Sequence, residues 1–301
     1  MRSIRSMPSL RLVACSPILA TLIIGAGQAT AASTPTTGTP ANQTAAETTP
    51  PIATGLPPTT DDAPADVPDA VTVVSQTPDG GLDVQEIPAN DPALTARTLD
   101  AAPGVTASTV KSRQILNAPE SDGAARDLQW PLNQLRAEDA WRVSTGAGIV
   151  VAVLDTGVDA GHPDLAGRIL PGYDATRRRA GSTSDPNGHG THVAGSIAGA
   201  GAVSGIAPNS RILPVRVMNA NGGGNTADIV AGIVWAVGHG ANVINMSLGS
   251  RDSDKAEEAA IRWARNRGVV VVAAVGNDGG KRTMYPAGYG DSKKNATDGT
   301  D

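Results

Sequence analysis

Three side chains that could cooperate in acyl-transfer chemistry follow one another along the 301-residue sequence. Asp155 comes directly after the apolar run Ile149–Leu154, and His189 lies in the segment Gly-His-Gly-Thr-His-Val-Ala-Gly. A buried carboxylate can hold a histidine in one tautomer and stabilise its imidazolium form, so this pair predicts a general base and an orienting acid. Asn277 ends the segment Ala-Ala-Val-Gly-Asn, and its amide could donate to a developing oxyanion.

Each of these residues also has another interpretation. Asp155-Thr-Gly157 is the triplet of aspartic proteases, but those enzymes need a second such loop or a homodimer, and the sequence has no second copy. His189 and His192 share a helix face and could bind a metal ion. Zinc hydrolases more often space two histidines by four residues beside a glutamate, which is absent here. Asn277 could simply be a turn residue ahead of Gly279-Gly280.

Alternating strands and helices would position these side chains. The predicted strands are Ile149–Leu154, Ile212–Val217, Val243–Met246 and Val269–Val275. The predicted helices are Thr226–Val237 and Asp254–Asn266, with Asp254 as N-cap and Gly268 as the stop. Continuous apolar strands joined by helices predict an α/β fold with a doubly wound parallel sheet. Reactive groups in such sheets lie at the carboxyl ends of the strands, where Asp155, Ser247 and Asn277 fall.

A small α+β unit is predicted ahead of this sheet, over residues 70–118. Val71–Val74 and Leu82–Ile87 favour a hairpin closed by Asp79-Gly80. Asp91-Pro92 opens a short helix through Leu99, and a further strand is predicted from Val110 to Leu116.

The first residues indicate export. Three arginines, a mostly apolar run from Leu12 to Ile24 and Ala29-Thr-Ala31 are typical of a signal peptide over residues 1–31. The apolar run is too short for a stable membrane span. Cys15 is the sole cysteine and offers a lipobox as the rival interpretation. Residues 32–69 are rich in Thr and Pro and predict a disordered linker. The net charge of −5 gives no reason to expect a nucleic acid partner.

The motifs around Asp155, His189 and Asn277, together with Asn245-Met-Ser-Leu-Gly249, resemble the subtilisin-like serine proteases (subtilases, peptidase family S8). The resemblance covers residues 128–290. It implies that His189 is the general base, that Asp155 orients it and that Asn277 binds the oxyanion. It also implies two substrate-binding edges, which are Gly222, Gly223 and Gly224 on one side and Ser247, Leu248 and Gly249 on the other. Ser247 is not expected to be the nucleophile, because it closes a strand without a strand-to-helix elbow.

The same resemblance implies the partners. Residues 70–118 would be a prosegment that helps the protease to fold and plugs its cleft, and the cleft itself would take a polypeptide substrate. The alternative is an unrelated small domain. No cofactor is expected. No metal site is expected either, since the loop Ala200–Gly205 is almost without side-chain oxygens and Asp164 alone cannot make a calcium site.

The Gly-Thr-Ser-Met-Ala segment that carries the nucleophile in this family is absent from the 301 residues. Residues 291–301 form a polar tail whose only serine is Ser292, in no elbow context. The expectation is therefore a secreted subtilisin-like endopeptidase precursor whose chain is C-terminally truncated, so that its fold is incomplete and it is inactive alone. The alternative is a pseudoprotease that binds peptides or inhibits an intact protease.

Overall fold

The computed structural model describes residues 68–115, 129–277 and 283–290. All of them belong to one compact unit, Thr48–Asp301. The predicted signal peptide (1–31), the polar tail (291–301) and nearly all of the predicted linker (32–69) lie outside the described residues.

Twelve strands and six α-helices occur in the described residues. The strands are β1 (Ala70–Gln76), β2 (Leu82–Pro88), β3 (Val105–Thr109), β4 (Ser112–Ile115), β5 (Val150–Asp155), β6 (Tyr173–Asp174), β7 (Arg179–Ala180), β8 (Arg211–Arg216), β9 (Gly223–Asn225), β10 (Val243–Met246), β11 (Leu248–Gly249) and β12 (Val270–Ala273). The helices are α1 (Pro92–Asp100), α2 (Trp130–Gln134), α3 (Ala137–Trp141), α4 (His189–Ala198), α5 (Thr226–Gly238) and α6 (Lys255–Arg265). Short 3₁₀ turns cover Pro163–Leu165 and Ala287–Tyr289.

The main sheet has the strand order β12-β10-β5-β8-β6-β7. Neighbouring strands from β12 to β6 are parallel, and the short edge strand β7 is antiparallel to β6. On the two sides of β10, Val243 lies opposite Val270 of β12 and Val151 of β5. The predicted α/β fold with a parallel sheet is confirmed.

Strand β5 shows why the sheet is covered on both faces. Val151 and Val153 belong to one apolar cluster, together with residues of α4. Ala152 and Leu154 belong to the other cluster, which contains the buried apolar residues of the inward faces of α5 and α6. Successive side chains of a strand point to opposite faces, so a continuous apolar run fills both layers. This packing fixes the direction of β5 and so the place of Asp155 at its end.

Both helices of the second layer begin with a side-chain cap. Asp254 accepts a hydrogen bond from the N–H of Glu257 at the start of α6, as predicted. Asn225 does the same for the N–H of Asp228 at the start of α5.

The Asp228 carboxyl is fully buried, and burial raises its pKa to about 7 although Arg178 lies 2.8 Å away.

Residues 70–109 form a three-stranded antiparallel sheet with the order β2-β1-β3. The predicted hairpin and short helix are both confirmed. One sheet face packs Val71 and Val73 against α1, whereas Val74 and Val84 join the core beneath α5 and α6. The small unit is therefore docked on the helices of the larger sheet.

The strand predicted from Val110 to Leu116 is present as β4 (Ser112–Ile115), whereas β3 (Val105–Thr109) was not predicted. The chain forms two separate strands, β3 before Val110 and β4 after Lys111, and Leu116 lies outside the described residues. The sequence of β3 (Val-Thr-Ala-Ser-Thr) contains small and hydroxylated side chains, which gave little apolar signal for a strand.

Strand β12 lies at the edge of the main sheet and has exposed apolar side chains. Val270 is 57% exposed and Val272 is 49% exposed, while the alternate residues Val271 and Ala273 pack against the core. Among the described residues β12 pairs with β10 alone.

Candidate active site

The predicted site residues lie at one edge of the main sheet. Asp155 is the last residue of β5, and Ser247 directly follows the neighbouring strand β10. Asn277 follows β12, the next strand along, by four residues, and its side chain is exposed. Because these three strands are adjacent and parallel, their carboxyl ends bring the residues to the same side of the sheet.

Asp155 and His189 are in hydrogen-bonding contact although they are 34 positions apart. Asp155 Oδ1 lies 2.7 Å from His189 Nδ1 and also accepts from the N–H of Thr156, at 2.7 Å. The Asp155 side chain is fully buried, whereas the histidine side chain is 11% exposed. A buried carboxylate on Nδ1 favours the tautomer with its proton on that nitrogen, so the basic nitrogen is Nε2. The two side chains are thus in contact, and their roles as acid and base stay a prediction.

Glycines make this contact sterically feasible. His189 is the first residue of α4, and Gly188 before it has φ +96°, a conformation that favours glycine. A Cβ on Gly190 would lie 2.0 Å from the carbonyl oxygen of Gly157. The N–H of Gly190 instead donates to Thr156 Oγ1 at 3.0 Å, so helix α4 begins directly against the loop that follows β5.

Asp185 ties that loop to the start of α4. Its Oδ1 accepts from Thr156 Oγ1 (2.8 Å) and from the N–H of Gly188 (2.9 Å). Its Oδ2 accepts from the N–H and the hydroxyl of Thr191, at 2.8 and 2.6 Å. Burial alone would raise the pKa of the Asp185 carboxyl, but these hydrogen bonds outweigh it and hold the pKa below the ordinary value. Sequence analysis missed this residue, because it lies four positions before His189 and the N-cap position itself is Gly188.

A second sheet contains both predicted substrate-binding edges. Its strand order is β11-β4-β9, with antiparallel pairing throughout. Gln114 of β4 lies opposite Gly223 on one side and Gly249 on the other. The segment 112–115 is therefore an extended strand lying between the two edges.

The remaining predicted edge residues support this arrangement in different ways. Gly222 precedes β9 in a turn with φ +74°. Gly224 packs tightly, because a Cβ there would lie 2.3 Å from the sulfur of Met218. Leu248 is fully buried, and the Ser247 hydroxyl accepts a hydrogen bond from the Asn245 amide. The absence of a side chain at Gly224 is thus required by packing within the protein.

Asn219 is a further positioning residue that sequence analysis missed. Its side-chain oxygen accepts from the N–H groups of Asn221 and Gly223, both at 3.0 Å, and fixes the turn before β9. Asn187, two residues before His189, donates from its amide to the carbonyl of Ala220 in the same turn, at 2.8 Å. One hydrogen bond thus joins the histidine loop to the glycine edge.

The Asp164 carboxylate accepts hydrogen bonds from backbone N–H groups, so it does not suit a calcium site. Its Oδ1 accepts from the N–H of Ala202 at 2.6 Å, and its Oδ2 accepts from that of Val203 at 3.3 Å. Donors directed at the carboxylate occupy the side from which a cation would need further oxygen ligands. In the described part of the chain, no cluster of three His, Cys, Asp or Glu side chains could hold a metal ion.

Comparison with known proteins decides the family. The sequence profile of the subtilase family (peptidase family S8) matches residues 146–297, which is just over half of the chain. The chain belongs to the subtilase family. The matched range of this subtilase includes Asp155, His189, Asn277 and both predicted substrate-binding edges.

Several relatives are similar over the same part of this subtilase. Thermitase from Thermoactinomyces vulgaris is 39% identical over 165 residues, which are 54% of this chain and 59% of thermitase. Subtilisin Savinase from Lederbergia lenta is 42% identical over 173 residues, covering 55% and 61%. Thermophilic serine proteinase from Bacillus sp. (strain AK1) is 46% identical over 155 residues, covering 50% and 38%. The subtilase chain thus spans between 38% and 61% of the length of these relatives.

A solved structure has a related fold. The crystal structure of fervidolysin from Fervidobacterium pennivorans, described as a keratinolytic enzyme related to subtilisin, superposes with a TM-score of 0.57 at 26% identity. The alignment covers 78% of the subtilase chain and 43% of fervidolysin. No helix in the described residues is long and apolar enough to cross a membrane.

Proposed function

We propose that this chain carries the acid–base part of a secreted subtilisin-like serine endopeptidase. The observation that carries the proposal is the 2.7 Å contact between the buried Asp155 carboxylate and His189 Nδ1, at the carboxyl edge of a parallel sheet. Relatives named as serine proteinase, thermitase and subtilisin support the same chemistry. An apolar run followed by a small-residue cleavage site at the start of the sequence supports secretion.

Each residue has a defined role in the proposed hydrolysis. His189 takes the proton of a serine hydroxyl through Nε2 and later gives it to the leaving amine. Asp155 holds the imidazole by its Nδ1 and stabilises the imidazolium, while Asn277 donates its amide to the oxyanion of the tetrahedral intermediate. Asp185 and Thr156 fix the start of α4 and so the position of the ring.

A polypeptide is the proposed partner of the cleft between β9 and β11. Strand β4 supports this, because it lies between the two edges and pairs with both through its backbone. The small unit of residues 70–115 would thus act as the prosegment of the subtilase, holding its own strand where a substrate would bind.

The 301-residue polypeptide contains no Gly-Thr-Ser-Met-Ala segment. We propose that it does not hydrolyse peptide bonds by itself, because the acid and base then have no hydroxyl to activate. The second candidate function is a non-catalytic one, in which the cleft holds peptides or the small unit inhibits an intact protease. The occupied cleft between β9 and β11 favours this second candidate as much as the first.

The role of Asp155 can be tested without measuring peptide hydrolysis. In the 301-residue chain the ¹⁵N resonances of His189 should show the proton on Nδ1 at neutral pH. Asp155→Asn should reverse the tautomer, because the new amide donates to Nδ1 and leaves the proton on Nε2. His192, which is exposed three residues along the same helix, serves as the internal control and should not change. An Asp155→Asn spectrum identical to that of the parent would contradict the proposed pairing.

Reaction with a fluorophosphonate tests the proposed inactivity. The purified 301-residue chain should form no adduct, whereas an active subtilisin treated in parallel should be labelled completely. Intact mass spectrometry is the measurement. A stoichiometric adduct that disappears in His189→Ala would show that this polypeptide contains an activated serine. That result would contradict the proposal that the chain is inactive by itself.

A further inference from the structure

A buried ion pair joins the cleft strand β4 to helix α6. Arg113 and Glu257 are 144 positions apart, and both side chains are fully buried. Arg113 Nη2 donates to Glu257 Oε2 at 2.6 Å, and Nε donates to Oε1 at 3.4 Å. This is the two-pronged geometry in which a guanidinium matches a carboxylate and an ammonium does not.

Other groups complete a pocket around the guanidinium. Arg113 Nη1 donates to the hydroxyl of Ser250 at 2.8 Å and to the carbonyl of Ser112 at 3.0 Å. The Tyr289 hydroxyl donates to Glu257 Oε2 at 2.8 Å and accepts from the N–H of Asp254 at 2.7 Å. Each wall residue therefore has a fixed orientation. We call Glu257, Ser250 and Tyr289 the arginine pocket.

The charge of the pocket requires a cationic occupant. Burial raises the pKa of the Glu257 carboxyl, and the Arg113 guanidinium together with hydrogen bonds opposes that rise. A carboxylate removed from water is strongly unfavourable unless a cation and hydrogen bonds compensate it. Glu257 also lies on the face of α6 that packs inward, beside the buried Ala256 and Ala260, where an apolar residue would be the ordinary choice.

The pocket and its occupant belong to different parts of the chain. The pocket residues lie in the subtilase body after β11, whereas Arg113 lies on the strand that occupies the proposed substrate cleft. Backbone pairing with β9 and β11 does not depend on side-chain type, so selectivity must come from pockets along the strand.

We propose that Glu257 is a specificity-determining residue, and that the cleft selects extended polypeptides with an arginine at the position of Arg113. This inference rests on the proposed function, because it assigns a substrate class to the same cleft. Ser250 and Tyr289 hold the two charged groups in place, and lysine is a poor substitute because it cannot make the paired contact. The subtilase would thus recognise arginine at a site separate from the acid and base.

Peptide binding to an opened cleft tests the proposal. In the full 301-residue chain, the double substitution Arg113→Ala and Gln114→Pro removes the arginine and interrupts the pairing of β4. Fluorescent peptides that copy residues 109–116 (Thr-Val-Lys-Ser-Arg-Gln-Ile-Leu) carry either arginine or the uncharged isostere citrulline at the fifth position. Fluorescence anisotropy should show the arginine peptide bound about 100-fold more tightly, because citrulline leaves Glu257 buried without a cation.

Adding Glu257→Gln to the opened chain is the matched control, and the two peptides should then bind within about threefold of each other. Equal binding of both peptides to the opened chain with Glu257 intact would contradict the proposed selectivity for arginine. It would not contradict the proposal that the cleft binds polypeptides. If neither peptide bound, the cleft of the proposed function would fail as well, so the two failures are distinguishable.

A second measurement avoids dependence on the double variant. Arg113→Ala alone should lower the thermal unfolding midpoint, and millimolar ethylguanidinium should restore part of the loss by entering the vacated pocket. Ethylammonium at the same concentration controls for ionic strength and should restore much less. Equal effects of the two cations would contradict the proposal.

Discussion

Replacing Gly190 by alanine is expected to push α4 away from the loop after β5 and to separate His189 from Asp155. The new Cβ would lie 2.0 Å from the Gly157 carbonyl oxygen and 3.1 Å from the Asp155 Cβ. Both neighbours belong to a segment fixed by the sheet, so the helix must move. We expect a loss of about 3 kcal/mol in the free energy of unfolding, measured by urea denaturation. The ¹⁵N signature of the His189–Asp155 hydrogen bond should also disappear.

Gly195→Ala is the matched control within the same helix. A Cβ on Gly195 meets no atom within 4 Å, so the substitution tests helix propensity alone. It should stabilise the protein by about 0.5–1 kcal/mol. If Gly190→Ala were as stable as Gly195→Ala, the close approach of α4 to the catalytic loop would be incorrect.

Replacing Asp185 by alanine should be comparably disruptive. The carboxylate accepts from Thr156, Thr191 and the N–H of Gly188, so its removal leaves several partly buried donors at the start of α4 without a partner. We expect about 3 kcal/mol of destabilisation, because hydrogen bonds to a charged group are stronger than neutral ones and an unpaired buried donor is costly. Asp252→Ala, which removes an exposed carboxylate, should change stability by less than about 0.5 kcal/mol.

The pH dependence of Asp185→Asn provides a sharper test. The folded-state pKa of Asp185 lies below its ordinary value of 3.8, so the folded protein binds this proton less tightly than the unfolded chain does. The stabilisation is therefore fully present above pH 3.8 and is lost as the pH falls through the lower folded-state pKa. The stability difference between the parent and Asp185→Asn should be constant near neutrality and shrink in acid. A difference that grows on acidification would contradict the assigned hydrogen bonds.

The sequence was sufficient for the parallel sheet because its central strands β5 and β8 are buried on both faces and appear as nearly continuous apolar runs. Asp155 and His189 were found because each stands in a short motif at an element boundary. Asn277 was found only through its sequence motif. Its side chain is exposed, so the apolar pattern of the chain does not point to it. Its role in binding an oxyanion stays a prediction.

The missed features share a physical cause, which is that their partners are distant in sequence. Glu257 looks like a surface residue of an amphipathic helix until Arg113 is placed against it. Asp185 precedes α4 by four positions, and its carboxylate also reaches Thr156, which no helix-capping pattern would include. Strand β3 was missed because its small and hydroxylated side chains give little apolar signal, and local composition does not reveal that the chain leaves one sheet and enters another between β3 and β4.

The exposed valines of β12 have a consequence for handling this polypeptide. Val270 and Val272 offer an apolar ribbon on a strand that, within the described residues, has a single neighbour. Strand borders of this kind recruit further strands from other molecules. Self-association should therefore increase with protein concentration, and spectra or titrations recorded on dilute samples should report the single molecule most faithfully.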